Sequence, residues 1–93
     1  MHILLISLHL QIPQAQSLKD KRRQIKSLKD RIRSRFNASV AEVDKLEQHR
    51  QSVLAVCMIG NDKPWLEKQL SQLQDRVLEY AELELISIHR EWL

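Results

Sequence analysis

Apolar and polar positions alternate from His2 to Ile12. Leu4, Ile6, Leu8, Leu10 and Ile12 fall on one face, and Ile3, Leu5, Ser7, His9 and Gln11 on the other. This period of two predicts a strand, apolar on one side and mixed on the other. Pro13 has no N–H to give to a ladder and ends it. The period then changes. Leu18, Ile25, Leu28, Ile32 and Phe36 recur at helical spacing, predicting a helix that runs to about Phe36. Ser17 is its N-cap, Asp20 stands in for the longer acid of a capping box, and Asn37 suits a left-handed C-terminal cap. Its length is about 28 Å at 1.5 Å per residue.

Two β-rich runs follow, Ala38 to Leu46 and Ser52 to Gly60, joined by the polar connector Glu47 to Gln51. They predict an antiparallel pair. The second run is apolar on both faces, as in a central strand, whereas Glu42, Asp44 and Lys45 mark the first as an edge. Asp62 and Pro64 signal a new helix start, and Leu66, Leu70, Leu73, Val77 and Tyr80 form its apolar stripe. Glu82 to Trp92 reads as a last strand. The order β-α-β-β-α-β with right-handed crossovers predicts an α+β ferredoxin-like sandwich, a split βαβ fold. Residues 1–93 form one domain in this reading. A four-stranded antiparallel sheet carries both helices on one face, with the first and third strands central.

Composition narrows the function more than it narrows the fold. A chain of 93 residues, 43% hydrophobic, buries about 65% of its unfolded surface, enough for one core without disulfides or metal. Cys57 is alone, so neither an intrachain disulfide nor a multi-cysteine zinc pattern is available. Gly60 is the only glycine, which excludes glycine-rich phosphate loops. No apolar run approaches a membrane span and no signal peptide is read, so a cytoplasmic location is expected. No cofactor is implied.

The net charge of +3 hides an uneven distribution. Between Ser17 and Phe36, nine basic residues stand against Asp20 and Asp30, a charge of +7; elsewhere six basic residues against ten acidic ones leave −4. On a helical wheel, Lys19, Arg22, Lys26, Lys29 and Arg33 form a ridge beside the apolar stripe, with Arg23 at its margin. Such a ridge can track a phosphate backbone. Two other readings stay open: a solvated face whose basic side chains snorkel over the core rim, and a surface for an acidic protein partner. If RNA is the ligand, base stacking on the sheet is disfavoured, because the two central strands carry no aromatic residue. A KH-type clamp would need a GXXG loop, which is absent. Recognition of structured or ribosomal RNA by shape and charge is what remains.

Three segments carry a family resemblance: Ser17-Leu18-Lys19-Asp20-Lys21-Arg22, Lys26-Ser27-Leu28-Lys29-Asp30-Arg31, and Arg35-Phe36-Asn37-Ala38-Ser39-Val40-Ala41-Glu42-Val43. Gly60-Asn61-Asp62 adds to them. With these the chain resembles the YlxP-like family of small bacterial proteins, catalogued as a domain of unknown function, along essentially its whole length. The resemblance implies the ferredoxin-like fold and genes lying near those for a translation initiation factor and a ribosome-binding factor. It implies no established activity, ligand or catalytic residue. Relatives often carry an aromatic residue in the Glu47 to Gln51 connector, and this chain has none.

Other constellations favour structural roles. His9 and His89 share a strand face, but the expected pairing sets them about 15–20 Å apart at 3.3 Å per residue, too far to share an ion; no metal site is expected. Cys57 reads as a small core residue. Glu42, Asp44, Glu47, Glu82 and Glu84 read as charged edges that discourage strand pairing. Trp65, Tyr80 and Trp92 read as core or rim aromatics. An acylphosphatase-like phosphate loop would occupy Gln11 to Ala15 but lacks glycine, so no enzyme is expected. The uncovered sheet face is expected to show Ile3, Leu5, Val53 and Leu85, with Ala55, Cys57 and Ile59, diluted by Ser7, His9, Ser87 and His89. A second copy of the chain covering this face would make a homodimer, with room for a small ligand at its seam.

Overall fold

In a computed structural model, which describes residues 1–93, the elements follow the order β1 (His2–Gln11), α1 (Leu18–Arg35), β2 (Ala38–Asp44), β3 (Gln51–Gly60), α2 (Lys63–Leu78) and β4 (Glu84–Trp92). The four strands form one antiparallel sheet in the order β2-β3-β1-β4. This is the ferredoxin-like α+β layout, with the first and third strands central. No helix is long and apolar enough to cross a membrane.

The alternation along β1 decides which side is covered. Leu4, Ile6, Leu8 and Leu10 are fully buried and meet Leu54, Val56 and Met58 of β3 under the helices. Ile25, Leu28 and Ile32 of α1 and Leu66, Leu70, Leu73 and Val77 of α2 close the core from above. Ser17 caps α1 as expected, its hydroxyl accepting from the Asp20 N–H at 3.1 Å. The shorter Asp20 carboxylate reaches one residue further back and accepts from the Gln16 N–H at 3.0 Å.

The helix ends differ from expectation. Asn37 is not left-handed, and Lys45 is the only residue with positive φ, at 61°. Phe36 instead turns extended at the end of α1 and buries its ring, so the chain passes straight into β2 and needs no reversal at Asn37. Asp62 precedes α2 but makes no side-chain cap; only its carbonyl joins the helix, accepting from Leu66 N–H.

Both edge strands carry a bulge. In β2 the register slips between Glu42 and Asp44, leaving Val43 without a partner on β3. In β4, Leu85 pairs with Leu10 but Ser87 with His9, leaving Ile86 as the extra residue. An inserted residue reverses the face of everything beyond it. Leu85 therefore packs against the core rather than on the uncovered face, and Ile86 is exposed in its place.

Candidate nucleic-acid interface

The ridge on α1 exists as a surface, and its neighbours define its character. Lys19, Arg22, Arg23, Lys26 and Arg33 are exposed and Lys29 is half-buried. Arg33 donates to the Val40 carbonyl at 2.9 Å, which places this flank of the helix along the β2 edge. Arg23 pairs with Asp20 at 3.3 Å, and Lys26 with Asp30 at 2.8 Å. Lys19, Arg22 and Lys29 join none of the six ion pairs. Exposed pairs one helical turn apart are weak in water, so they hold Arg23 and Lys26 only loosely.

Asp30 is the one carboxylate inside the ridge. The hydrogen bond from Lys26 holds its carboxyl below the ordinary value of 3.8, helped by the charges of Lys26, Arg33 and Lys29. A lowered folded-state value means that these pairs contribute to stability above the ordinary value and cease to contribute as pH falls through the lowered one. At neutral pH Asp30 is ionised and offsets one unit of the ridge's positive charge.

Lys21 is the largest departure from the sequence reading. Counted by composition among the cations of the helix, it is in fact fully buried. Its Nζ lies 3.0 Å from Glu42 Oε2 and donates to the carbonyls of Lys45, Leu46 and Gln51 at 2.9, 3.2 and 3.3 Å. Glu42 also accepts from Ser52 Oγ at 2.7 Å. Glu42 is thus not an edge guard: it faces inward on the same side of β2 as Val40 and meets the ammonium beneath α1. Eight cations, not nine, serve the helix surface. The periodicity already held this signal, since Lys21 sits four residues before Ile25 in the apolar stripe, at a position between Leu18 and Ile25 that the stripe otherwise leaves empty.

On the uncovered face, rows run across the strands as Ser39, Cys57, Leu5 and Glu91, then Ala41, Ala55, Ser7 and His89. Ile3 lies beside Ile59 and Val53 beside His9. Cys57 is half-buried on this face rather than in the core. The register also corrects the histidine geometry. Ser7 pairs with His89 and His9 with Ser87, so the two imidazoles are diagonal neighbours, about 7–8 Å apart between backbones. No three side chains among His, Cys, Asp and Glu come together to hold a metal ion. Of the aromatics, Tyr80 is buried, Trp65 is exposed and Trp92 sits at the rim, with His2 edge-on and Lys63 over its ring at 5.1 Å.

The family described as "Protein of unknown function (DUF503)" matches residues 3–90 of the chain. Among curated relatives, "Uncharacterized protein YlxP" of Bacillus subtilis (strain 168) is 25% identical over 78 residues, which span 84% of this chain and 85% of the relative.

Proposed function

The chain belongs to the DUF503 family, and from that premise we propose that it is a non-enzymatic RNA-associated factor, of the kind that joins structured or ribosomal RNA, gripping the phosphate backbone with the exposed ridge of α1. The observation that carries this reading is the concentration of charge: a segment of +7 in a chain of +3, with Lys19, Arg22 and Lys29 left free of carboxylates along one flank. Charge of one sign gathered on a rigid element attracts polyanions and speeds their encounter. The uncovered sheet face carries no Phe, Tyr or Trp for stacking, so contact through the backbone is the mode that fits.

The test is retention of RNA over graded salt. About five phosphate contacts on single strands give a log–log slope near −3.5. Asp30→Asn, which removes the negative charge within the ridge, is expected to bind more tightly than wild type at every salt concentration. A flat salt response, or no gain from Asp30→Asn, would count against the ridge as the contact.

A second reading concerns the uncovered sheet face. Ile3, Leu5, Val53 and Ile59 flank the small residues Ala41, Ala55 and Ser7, and Ile59 is half exposed at 51%. A second copy laid on this face would remove that apolar surface from water. Light scattering at micromolar concentration is expected to give twice the chain's mass of 11.0 kDa; the monomer mass would dismiss this reading.

A further inference from the structure

The flank of α1 that faces α2 carries a second set of cations, separate from the ridge. Arg31 and Arg35, four residues apart on that flank, meet Arg76 of α2 across a groove of about 230 Å³ whose other walls are Leu28, Ile32, Phe36, Ser34 and Glu79. Arg31 lies over the Tyr80 ring at 5.0 Å, a cation–π contact, and its side chain joins no ion pair or hydrogen bond, so its N–H groups stay free. Arg35 has neither an ion pair nor a side-chain hydrogen bond. Arg76 reaches Glu79 Oε2 at 3.5 Å, the outer limit of a hydrogen bond. Three guanidinium groups around one groove repel one another, and the single carboxylate only partly offsets them. A cation in the last turn of α1 suits the helix dipole, which accounts for Arg35 but not for the convergence of Arg31 and Arg76 upon it.

We propose that this groove is a phosphate-binding site. The guanidinium fork matches phosphate oxygens two at a time, a geometry that lysine cannot reproduce. Pockets for whole drug-sized ligands run from about 300 Å³ upward, so this one takes a phosphate or pyrophosphate group with a short attached body, not an entire dinucleotide. The apolar floor of Leu28, Ile32 and Phe36 receives the carbon part of such a ligand. Binding draws Arg76 away from Glu79. The same chemistry is presented by a free mononucleotide and by a phosphate of a polynucleotide.

The experiment titrates the full chain at low salt with pyrophosphate, with uridine 5′-monophosphate and with a ten-nucleotide single-stranded RNA lacking a terminal phosphate, following backbone amide shifts. Saturable binding that moves the amides of Arg31 to Phe36 and Arg76 to Glu79 is expected. The double variant Arg35→Gln, Arg76→Gln should weaken it by at least tenfold, and Glu79→Gln should tighten it, a gain that a purely structural role would not produce. Binding of the small probes places the site among those for free phosphorylated ligands; binding of RNA alone, lost in the double variant, assigns the phosphate to a strand. Saturation by none of the three probes, or equal binding by the double variant while it remains folded, would overturn the proposal. A variant with Lys19→Glu, Arg22→Glu and Lys26→Glu is expected to keep its pyrophosphate affinity, so the groove and the ridge stand or fall separately.

Discussion

Replacing Lys21 by methionine is expected to destabilise the fold by about 3–5 kcal/mol, because it strands the inward carboxylate of Glu42 without its charged partner, leaving only the Ser52 hydroxyl. Native domains are stable by about 5–15 kcal/mol in total, so much of the margin goes. For a domain of this size each kcal/mol shifts the melting temperature by about 4–8 °C, and the variant should melt many degrees lower. The ammonium also satisfies the carbonyls of Lys45, Leu46 and Gln51, so the loss reaches beyond one ion pair. Lys45 holds its left-handed φ of 61° while its carbonyl accepts from both Lys21 and the Gln48 N–H, and removing one donor loosens that turn. Glu42→Gln alone should cost less, since the ammonium keeps its three carbonyls. Adding Glu42→Gln to Lys21→Met should recover part of the loss, because no unpaired buried charge is left. Urea unfolding of the four proteins reads the coupling directly. Additive losses would show that Lys21 and Glu42 do not act as a unit.

The second large effect concerns the ridge. Lys19→Glu, Arg22→Glu and Lys26→Glu together move the net charge from +3 to −3, two units at each of three sites. Three of about five phosphate contacts vanish and three repulsions replace them, so the salt slope falls from about −3.5 to about −1.4. RNA retention at physiological salt should disappear while the melting temperature changes by only a few degrees. Arg33 is left alone in this variant because it donates to the Val40 carbonyl on the β2 edge, and reversing it would confuse loss of binding with loss of structure. Undiminished retention by the triple variant would refute the ridge.

The fold was legible because two periods, 2 in β1 and 3.6 in the helices, each assign residues to a face without reference to any partner. The same independence explains what was not legible. A bulge is decided between strands, and the one at Ile86 reversed the expected side of Leu85; the β1–β4 register, equally a property of the pair of strands, makes His9 and His89 diagonal neighbours. Lys21 shows a different failure. Its place in the apolar stripe was visible, but counting charge by composition treats every lysine as a surface cation, and only the inward parity of Glu42 across the sheet shows how this one is neutralised. The arginine groove joins two helices that share no sequence pattern, so neither one announces it.

The two bulges have a consequence for assembly. Sheets grow into ribbons when a flat outer strand offers its free N–H and carbonyl groups to a neighbour. Here β2 is kinked at Val43 and has the Val40 carbonyl already taken by Arg33, while β4 is kinked at Ile86 and is bridged to α2 by Arg90 and Glu67. Neither side is a good template for another strand. Copies that meet are left with the flat of the sheet, and an isologous contact there is complete once two are joined. Edge-to-edge growth is thus disfavoured on both sides of the sheet, so concentrated solutions should stay clear and free of fibres.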